Sequence, residues 1–192
     1  YKKYKLWICG KSEDNDHLQC LEYAYEAGLV RSIPALHSAS QNGHLNCLKF
    51  LNETGYPMHQ DAMLYSAKHG HLECLEFLHS IGCRLDDSVC LHAIFDDHVE
   101  CLKYAHENGC GFTAAMCSMA VRNNSLKCLK YMYENGYQWG ADVFTEAAIF
   151  GHLDILKFAH ENNCPQSNEL RAILESISYD DCKEYLLSII PY

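Results

Sequence analysis

Four His-x-x-Cys pairs, His17/Cys20, His44/Cys47, His71/Cys74 and His98/Cys101, have a spacing that could bring an imidazole and a thiol onto one turn of helix. Such a pair could supply two ligands to a zinc ion, whose sites close with about four, or act as nucleophile and general base. Either chemistry needs its groups to converge on one point. These pairs instead recur at a fixed interval, and at the next interval Cys128 persists while Ser125 stands in place of His. A catalytic pair is normally singular, so a motif written once per interval belongs to the scaffold. No Gly-rich phosphate loop, paired-carboxylate motif or nucleophile elbow occurs elsewhere. The expectation is no catalytic residue, no metal, no cofactor and no small-molecule substrate.

Stepping by 27 from Gly43 lands on Gly70, Asp97, Asn124 and Gly151, with no insertion anywhere. "NGHLNCLKFLNETG" (42–55) and "HGHLECLEFLHSIG" (69–82) are two copies of one phrase. The same step places Cys20, Cys47, Cys74, Cys101, Cys128, Ile155 and Cys182 in one column across nearly all 192 residues. A strict period means that each unit buries its apolar face mainly against its neighbours. One solenoid of about seven units over 1–192 is therefore expected, with units ending near Gly28, Gly55, Gly82, Gly109, Gly136 and Asn163 and a terminal capping unit over 164–192. The first residues, "YKKYKLWICG", carry no initiator Met and no signal peptide, while Ile8 and Cys9 already fit repeat columns. The chain is expected to begin inside a longer protein.

Within a unit, Leu45, Cys47, Leu48 and Leu51 make one buried stripe of a helix, here helix B, and Ala62, Met63, Ser66 and Ala67 one face of a shorter helix A. The small column Ala39, Ser66, Ala93, Ala120 and Ala147 permits close approach of helices. Gly, Asn or Asp alone occupies the A-to-B turn at 16, 43, 70, 97, 124 and 151, where positive φ is expected. The column after it, His17, His44, His71, His98, Ser125 and His152, is expected to cap the helix that follows it. On that reading Ser125→His is close to neutral.

Twelve cysteines fall into repeat columns whose members lie on successive units, roughly 8–10 Å apart, beyond disulfide reach. They alternate with Ile155, Leu36, Met63 and Phe144, as small apolar residues would. Reduced thiols in an intracellular, cytoplasmic setting are expected. Net charge is −10, which removes the phosphate attraction that nucleic-acid binding requires, and no apolar stretch could span a bilayer. The aromatic column Tyr23, Phe50, Phe77, Tyr104, Tyr131, Phe158 and Tyr185 reads as packing between neighbours. The loop column Met58, Leu85, Phe112 and Trp139 reads as packing of loop on loop.

Leu36-His37-Ser38-Ala39 followed by Gly43-His44-Leu45 resembles the ankyrin-repeat signature. The units are shorter than the usual ankyrin length of about 33 residues. Phrases such as "CLKYAHENGC" (101–110) resemble the short ankyrin-like repeats abundant in giant DNA viruses and amoebae. The resemblance departs at Ser178 and Tyr179, which replace the Gly-His pair. It implies an all-α, right-handed solenoid of stacked helix-turn-helix units with β-hairpin fingers reduced or absent, and a non-enzymatic scaffold that binds a protein partner on its concave helix A and loop surface. Two more specific roles follow by analogy: the substrate-recognition arm of a ubiquitin-ligase subunit, or a structural component of a virion or large assembly. An F-box-like segment upstream would favour the first.

Columns that vary between units are the ones free to contact a partner. Three columns near the end of helix A vary most, and from them Tyr65, Lys68, His92, Phe95, Met119, Arg122, Glu146, Ile149 and Phe150 are expected to bind it. The test set by this reading is Phe95→Ala combined with Arg122→Glu.

Overall fold

The computed structural model describes residues 17–26, 28, 33–165, 174–175 and 177–189. Among them are twelve α-helices and no strand. Helix α1 (His17–Glu26) is a helix B. Five hairpins follow: α2 (Ile33–Gln41) with α3 (Leu45–Glu53), α4 (Asp61–Lys68) with α5 (Leu72–Ser80), α6 (Asp87–Phe95) with α7 (Val99–Glu107), α8 (Ala114–Arg122) with α9 (Leu126–Glu134), and α10 (Asp142–Phe150) with α11 (Leu153–Glu161). A last helix B, α12 (Asp180–Ile189), ends the series. The expected positions of Ile8, Cys9 and Asp16 lie outside the described residues.

The stripes expected from the sequence are the buried ones: Cys47, Leu48 and Leu51 in α3, and Ala62, Met63, Ser66 and Ala67 in α4. Burying a leucine such as Leu48 is worth about 1.5–3 kcal/mol, and each unit repeats the contribution against both neighbours. The A helices form one row and the B helices another. Neighbouring A helices, with the buried Ala39, Ala93, Ala120 and Ala147, pack more extensively than neighbouring B helices.

Both ends of each hairpin are closed by backbone bonds. Gly55 takes φ +74°, which lets Gly55 N–H donate to Asn52 O (3.0 Å) and Tyr56 N–H to Leu51 O (2.9 Å), satisfying two carbonyls that the helix leaves open. Asn163 does the same with φ 54°, and Cys164 N–H donates to Ala159 O (2.9 Å). At the A-to-B turns Asp97 and Asn124 hold φ 59° and 58°, as the sequence requires. The described loops between units carry no β-hairpin. Gln60 instead exchanges side-chain bonds with the Arg84 backbone one unit on, donating to Arg84 O and accepting from Arg84 N–H (3.3 Å). Two A helices gain true N-caps from these loops: Asp86 Oδ1 accepts from Ser88 N–H (3.0 Å) and Thr113 Oγ1 from Met116 N–H (3.3 Å). The Ser88 hydroxyl also donates to Asp86 and is the main reason that carboxyl sits below its usual range.

The His column corrects the sequence reading. His44, His71, His98, Ser125 and His152 stand at the N-cap of helix B, yet none makes a side-chain capping bond to it. His71 Nε2 donates to Gln41 O (2.9 Å) and His152 Nε2 to Arg122 O (3.2 Å), so the rings reach back one unit and close the end of the preceding helix A. A Cβ at Gly43 would lie 2.5 Å from the His71 ring, and one at Gly70 would press as closely on the ring of His98. The column is a clasp between units rather than a cap within one. Where Asp97 replaces the turn glycine, the next unit carries Ser125 instead of His. Ser125 Oγ then donates to Ile94 O, and the Asp97 carboxylate accepts from Cys128 N–H (2.9 Å) and Lys127 N–H (3.4 Å). Ser125→His would drive an imidazole into that carboxylate, so the expectation of a neutral change does not hold. Tyr179 occupies the same column at the last unit, its ring over Gly151. The departure at 178–179 thus keeps the clasp.

A candidate partner-binding face

The residues picked out by variation between units fall on four adjacent A helices. Tyr65 and Lys68 are on α4, His92 and Phe95 on α6, Met119 and Arg122 on α8, and Glu146, Ile149 and Phe150 on α10. Large apolar side chains are left in water at Phe95 (44% exposed), Ile149 (45%) and Phe150 (40%), all within the last turn of helix A. Each phenylalanine is flanked by a cation from the unit before it: Lys68 Nζ is 5.1 Å from the Phe95 ring centre and Arg122 Cζ is 5.9 Å from that of Phe150. Arg122 also grips Glu146 Oε1 through Nη2 (2.6 Å) and Nε (3.2 Å). The variable columns therefore bring cationic and apolar side chains together on one edge, with the acids Asp96 and Glu146 among them.

Other members are committed to the scaffold. His92 Nδ1 donates to Ser88 O (2.7 Å), and Asn123 Nδ2 donates to Met119 O (2.9 Å) while touching the Met119 sulfur (2.8 Å). Tyr65 packs its ring 4.9 Å from that of His37, whose Nε2 is 3.7 Å from Asp61. His69 is held below its usual range first by burial and then by Lys68, His71 and His98, against an opposing pull from Asp96.

The opposite row of B helices is built on ring contacts that the sequence reading treated only as packing. His79 Nδ1 bonds Tyr104 Oη (2.8 Å), His106 Nδ1 bonds Tyr131 Oη (3.0 Å) and His160 Nδ1 bonds Tyr185 Oη (2.8 Å). Where the preceding residue is Tyr, the next ring is Phe: Tyr25 meets Phe50 edge-on at 5.6 Å and Tyr133 meets Phe158 at 5.9 Å. The signal was present at a sequence offset of 25, where His pairs with Tyr and Tyr with Phe, because a phenol needs a partner and a phenyl does not. Trp139 is only 7% exposed, stacked on Tyr133 at 4.3 Å and edge-on to Phe158 at 5.3 Å. Trp139 and Phe112 of that loop column pack against side chains of helices B.

Cys74, Cys83, Cys90, Cys101, Cys110, Cys117, Cys128, Cys164 and Cys182 take part in no disulfide. Burial pushes the Cys74, Cys101 and Cys117 thiols up to about 12 and Cys164 to about 11, which suppresses the thiolate that nucleophilic or metal chemistry needs. Cys90 and Cys110, from different columns, lie close enough for each thiol to influence the other, a proximity that the columns by themselves do not show. Among the described residues no group of three or more His, Cys, Asp and Glu is placed to hold a metal ion, and no helix is long and apolar enough to cross a membrane.

Comparison with known proteins agrees with this architecture. Residues 6–88 match the family model described as ankyrin repeats (3 copies). No curated protein matches the chain. Solved structures do match, among them the crystal structure of the human ASB11 ankyrin repeat domain, with a TM-score of 0.70 at 18% identity over 84% of this chain and 85% of that one. The fold is that of an ankyrin-repeat solenoid, written in shorter units. Ankyrin repeats are generally modules of protein–protein interaction and typically non-enzymatic scaffolds.

Proposed function

We propose that this protein is a non-enzymatic, intracellular interaction scaffold whose A-row edge, from Tyr65 and Lys68 through His92, Phe95, Met119, Arg122 and Glu146 to Ile149 and Phe150, grips a protein partner. The observation that carries the reading is the exposure of Phe95, Ile149 and Phe150 along one edge of the stack. Among the described residues the other large apolar side chains left in water, Tyr23, Tyr25, Tyr179 and Leu187, lie outside the A helices. An exposed apolar row rimmed by charge is characteristic of an interface, and the aromatic and arginine members are the types that dominate binding energy. The role is that of an adaptor; of the more specific versions, the substrate-recognition arm of a ligase assembly is the one that a gripping face on a rigid stack suits best.

The test is affinity purification from the native cell with the full-length protein and with Phe95→Ala/Ile149→Ala, read by quantitative mass spectrometry. Ile149 replaces Arg122 in the pair because Arg122→Glu would set a second carboxylate against Glu146 and disturb the stack itself. A partner enriched by the parent and lost by the variant, at unchanged helical circular dichroism, supports the proposal. An identical set of partners from both places the interface elsewhere, the loop tips around Phe112 and Trp139 being the next surface to vary.

A further inference from the structure

Cysteines of one repeat column sit on successive units, about 8–10 Å apart, beyond the Cα separation of about 4.4–6.8 Å that a disulfide spans. Within a single unit the geometry is different. The residue after the glycine or asparagine that closes helix B stands 20 positions beyond a buried residue of helix A. The five hairpins fill these two places as Leu36 with Tyr56, Met63 with Cys83, Cys90 with Cys110, Cys117 with Tyr137 and Phe144 with Cys164. The fold brings the two places together. Cys164 Sγ donates to Gly140 O (3.5 Å) and is hydrogen-bonded by the backbone of Phe144, so the loop thiol turns toward the start of helix A in its own unit. Tyr137 likewise lies near enough to Cys117 for that thiol to act on its phenol, after burial. Only the unit of α6 and α7 carries cysteine at both places. Cys90 is on the first turn of α6 and 1% exposed; Cys110 is 7% exposed and is held in the loop by its N–H bond to Ala105 O (3.1 Å). Both are free thiols, and Asp86 and Asp87 at the start of α6 act on both.

We propose that Cys90 and Cys110 form a peroxide-reactive dithiol, reduced at rest and closed to a disulfide by hydrogen peroxide. The more exposed Cys110 reacts first: its thiolate attacks one peroxide oxygen, the O–O bond breaks, hydroxide leaves, and Cys110 becomes a sulfenic acid. Cys90 then attacks the Cys110 sulfur, and the sulfenic oxygen departs with the Cys90 proton as water. In sum the two thiols give up two electrons and two protons, and one hydrogen peroxide is reduced to two waters. A small oxidant suits a thiol that is 7% exposed, whereas a bulky disulfide such as oxidised glutathione does not. Burial raises both thiols above their usual range, so closure is slow at neutral pH and quickens as pH rises. The bridge ties α6 to the loop that carries Phe112, whose ring stacks on His106 at 4.2 Å.

The experiment exposes the whole reduced protein to hydrogen peroxide, unfolds it, alkylates the remaining thiols and maps the peptides by mass spectrometry. A bridge between Cys90 and Cys110 is expected before any other oxidation product. It should be reversed by dithiothreitol and form faster at mildly alkaline than at neutral pH. No bridge should form in Cys90→Met or in Cys110→Tyr, which copy the choices made at Met63 and Tyr137, and both variants should keep the helical circular dichroism of the parent. Free thiols at both positions after peroxide, a sulfinic acid at Cys110 in place of the bridge, or a first bridge between other cysteines overturns the proposal.

Discussion

Replacing Gly43 by Asp and His71 by Ser together should damage the protein less than the two changes made apart, because the pair reproduces what the chain already does at Asp97 and Ser125. Alone, Gly43→Asp places a side chain on a residue with φ +72°, at a cost of about 1–2 kcal/mol outside glycine. Its Cβ would lie 2.5 Å from the His71 ring, which must shift as His152 does beside Asn124, where the bond to Arg122 O is 3.2 Å, and so weaken a bond to Gln41 O worth about 0.5–1.5 kcal/mol. A total of about 2–3 kcal/mol is expected. His71→Ser alone forfeits the same bond and leaves a gap over Gly43, about 1 kcal/mol or slightly more. In the double variant the ring is absent, and the new carboxylate can accept from the N–H groups of Glu73 and Cys74 as Asp97 does from Lys127 and Cys128. The serine introduced in place of His71 can reach the Ser40 carbonyl as Ser125 reaches Ile94. A favourable coupling of about 1–2 kcal/mol should appear in a double-mutant cycle from urea melts followed by circular dichroism. Strict additivity, within the error of the melts, would refute the clasp between units.

Further outcomes follow from the same geometry. Ser125→His should destabilise by about 1–3 kcal/mol through overpacking against Asp97, and Ser125→Ala by about 0.5–1.5 kcal/mol through loss of the second donor to Ile94 O, which keeps Asp97 N–H (3.2 Å), both measured in urea. Tyr131→Phe should cost about 1 kcal/mol in the parent and much less in a His106→Tyr background, where the pair becomes the Tyr and Phe of 133 and 158. The thiol shifts fix a pH window. Cys74, Cys101 and Cys117 keep their protons up to about 12 in the folded state but lose them near 8.5 when unfolded, so their contribution is complete below about pH 8.5 and declines as pH rises toward 12. Alkaline melts of the parent should therefore fall more steeply than those of Cys74→Val; parallel curves would contradict the assignment.

What was legible in the sequence was everything written in the period: two helices per unit, the faces they bury, and the turns that need φ above zero. Leu48, Met63 and Gly43 each declare their role by recurring in type. The side-chain bonds between units were not legible in that way, since His71 and Gln41 belong to different units and a column read by itself shows only that His recurs. The information lay between columns, in Gly43 with His71 against Asp97 with Ser125 and in His79 with Tyr104 against Tyr133 with Phe158. At Asp97 the change in one unit is answered by Ser125 in the next, whereas beside Asn124 the next unit keeps His152. The A-row edge was found by the opposite signal, variation, and the structure gathers Lys68, Phe95, Arg122, Ile149 and Phe150 on one surface because their columns share the last turn of helix A. Variation gave no sign that Arg122 and Glu146 already hold each other, because that bond spans two units and uses residues that occur once.

A partner held by the A row, and not by the row of B helices behind it, should respond to changes on one face alone. The most direct test is the affinity of the recovered partner for Phe95→Ala/Ile149→Ala and for Lys130→Ala/Glu134→Ala, two exposed residues of helix B. At least a tenfold loss, about 1.4 kcal/mol, is predicted for the first pair and none for the second. A loss confined to the second pair, with both variants fully folded, would contradict it.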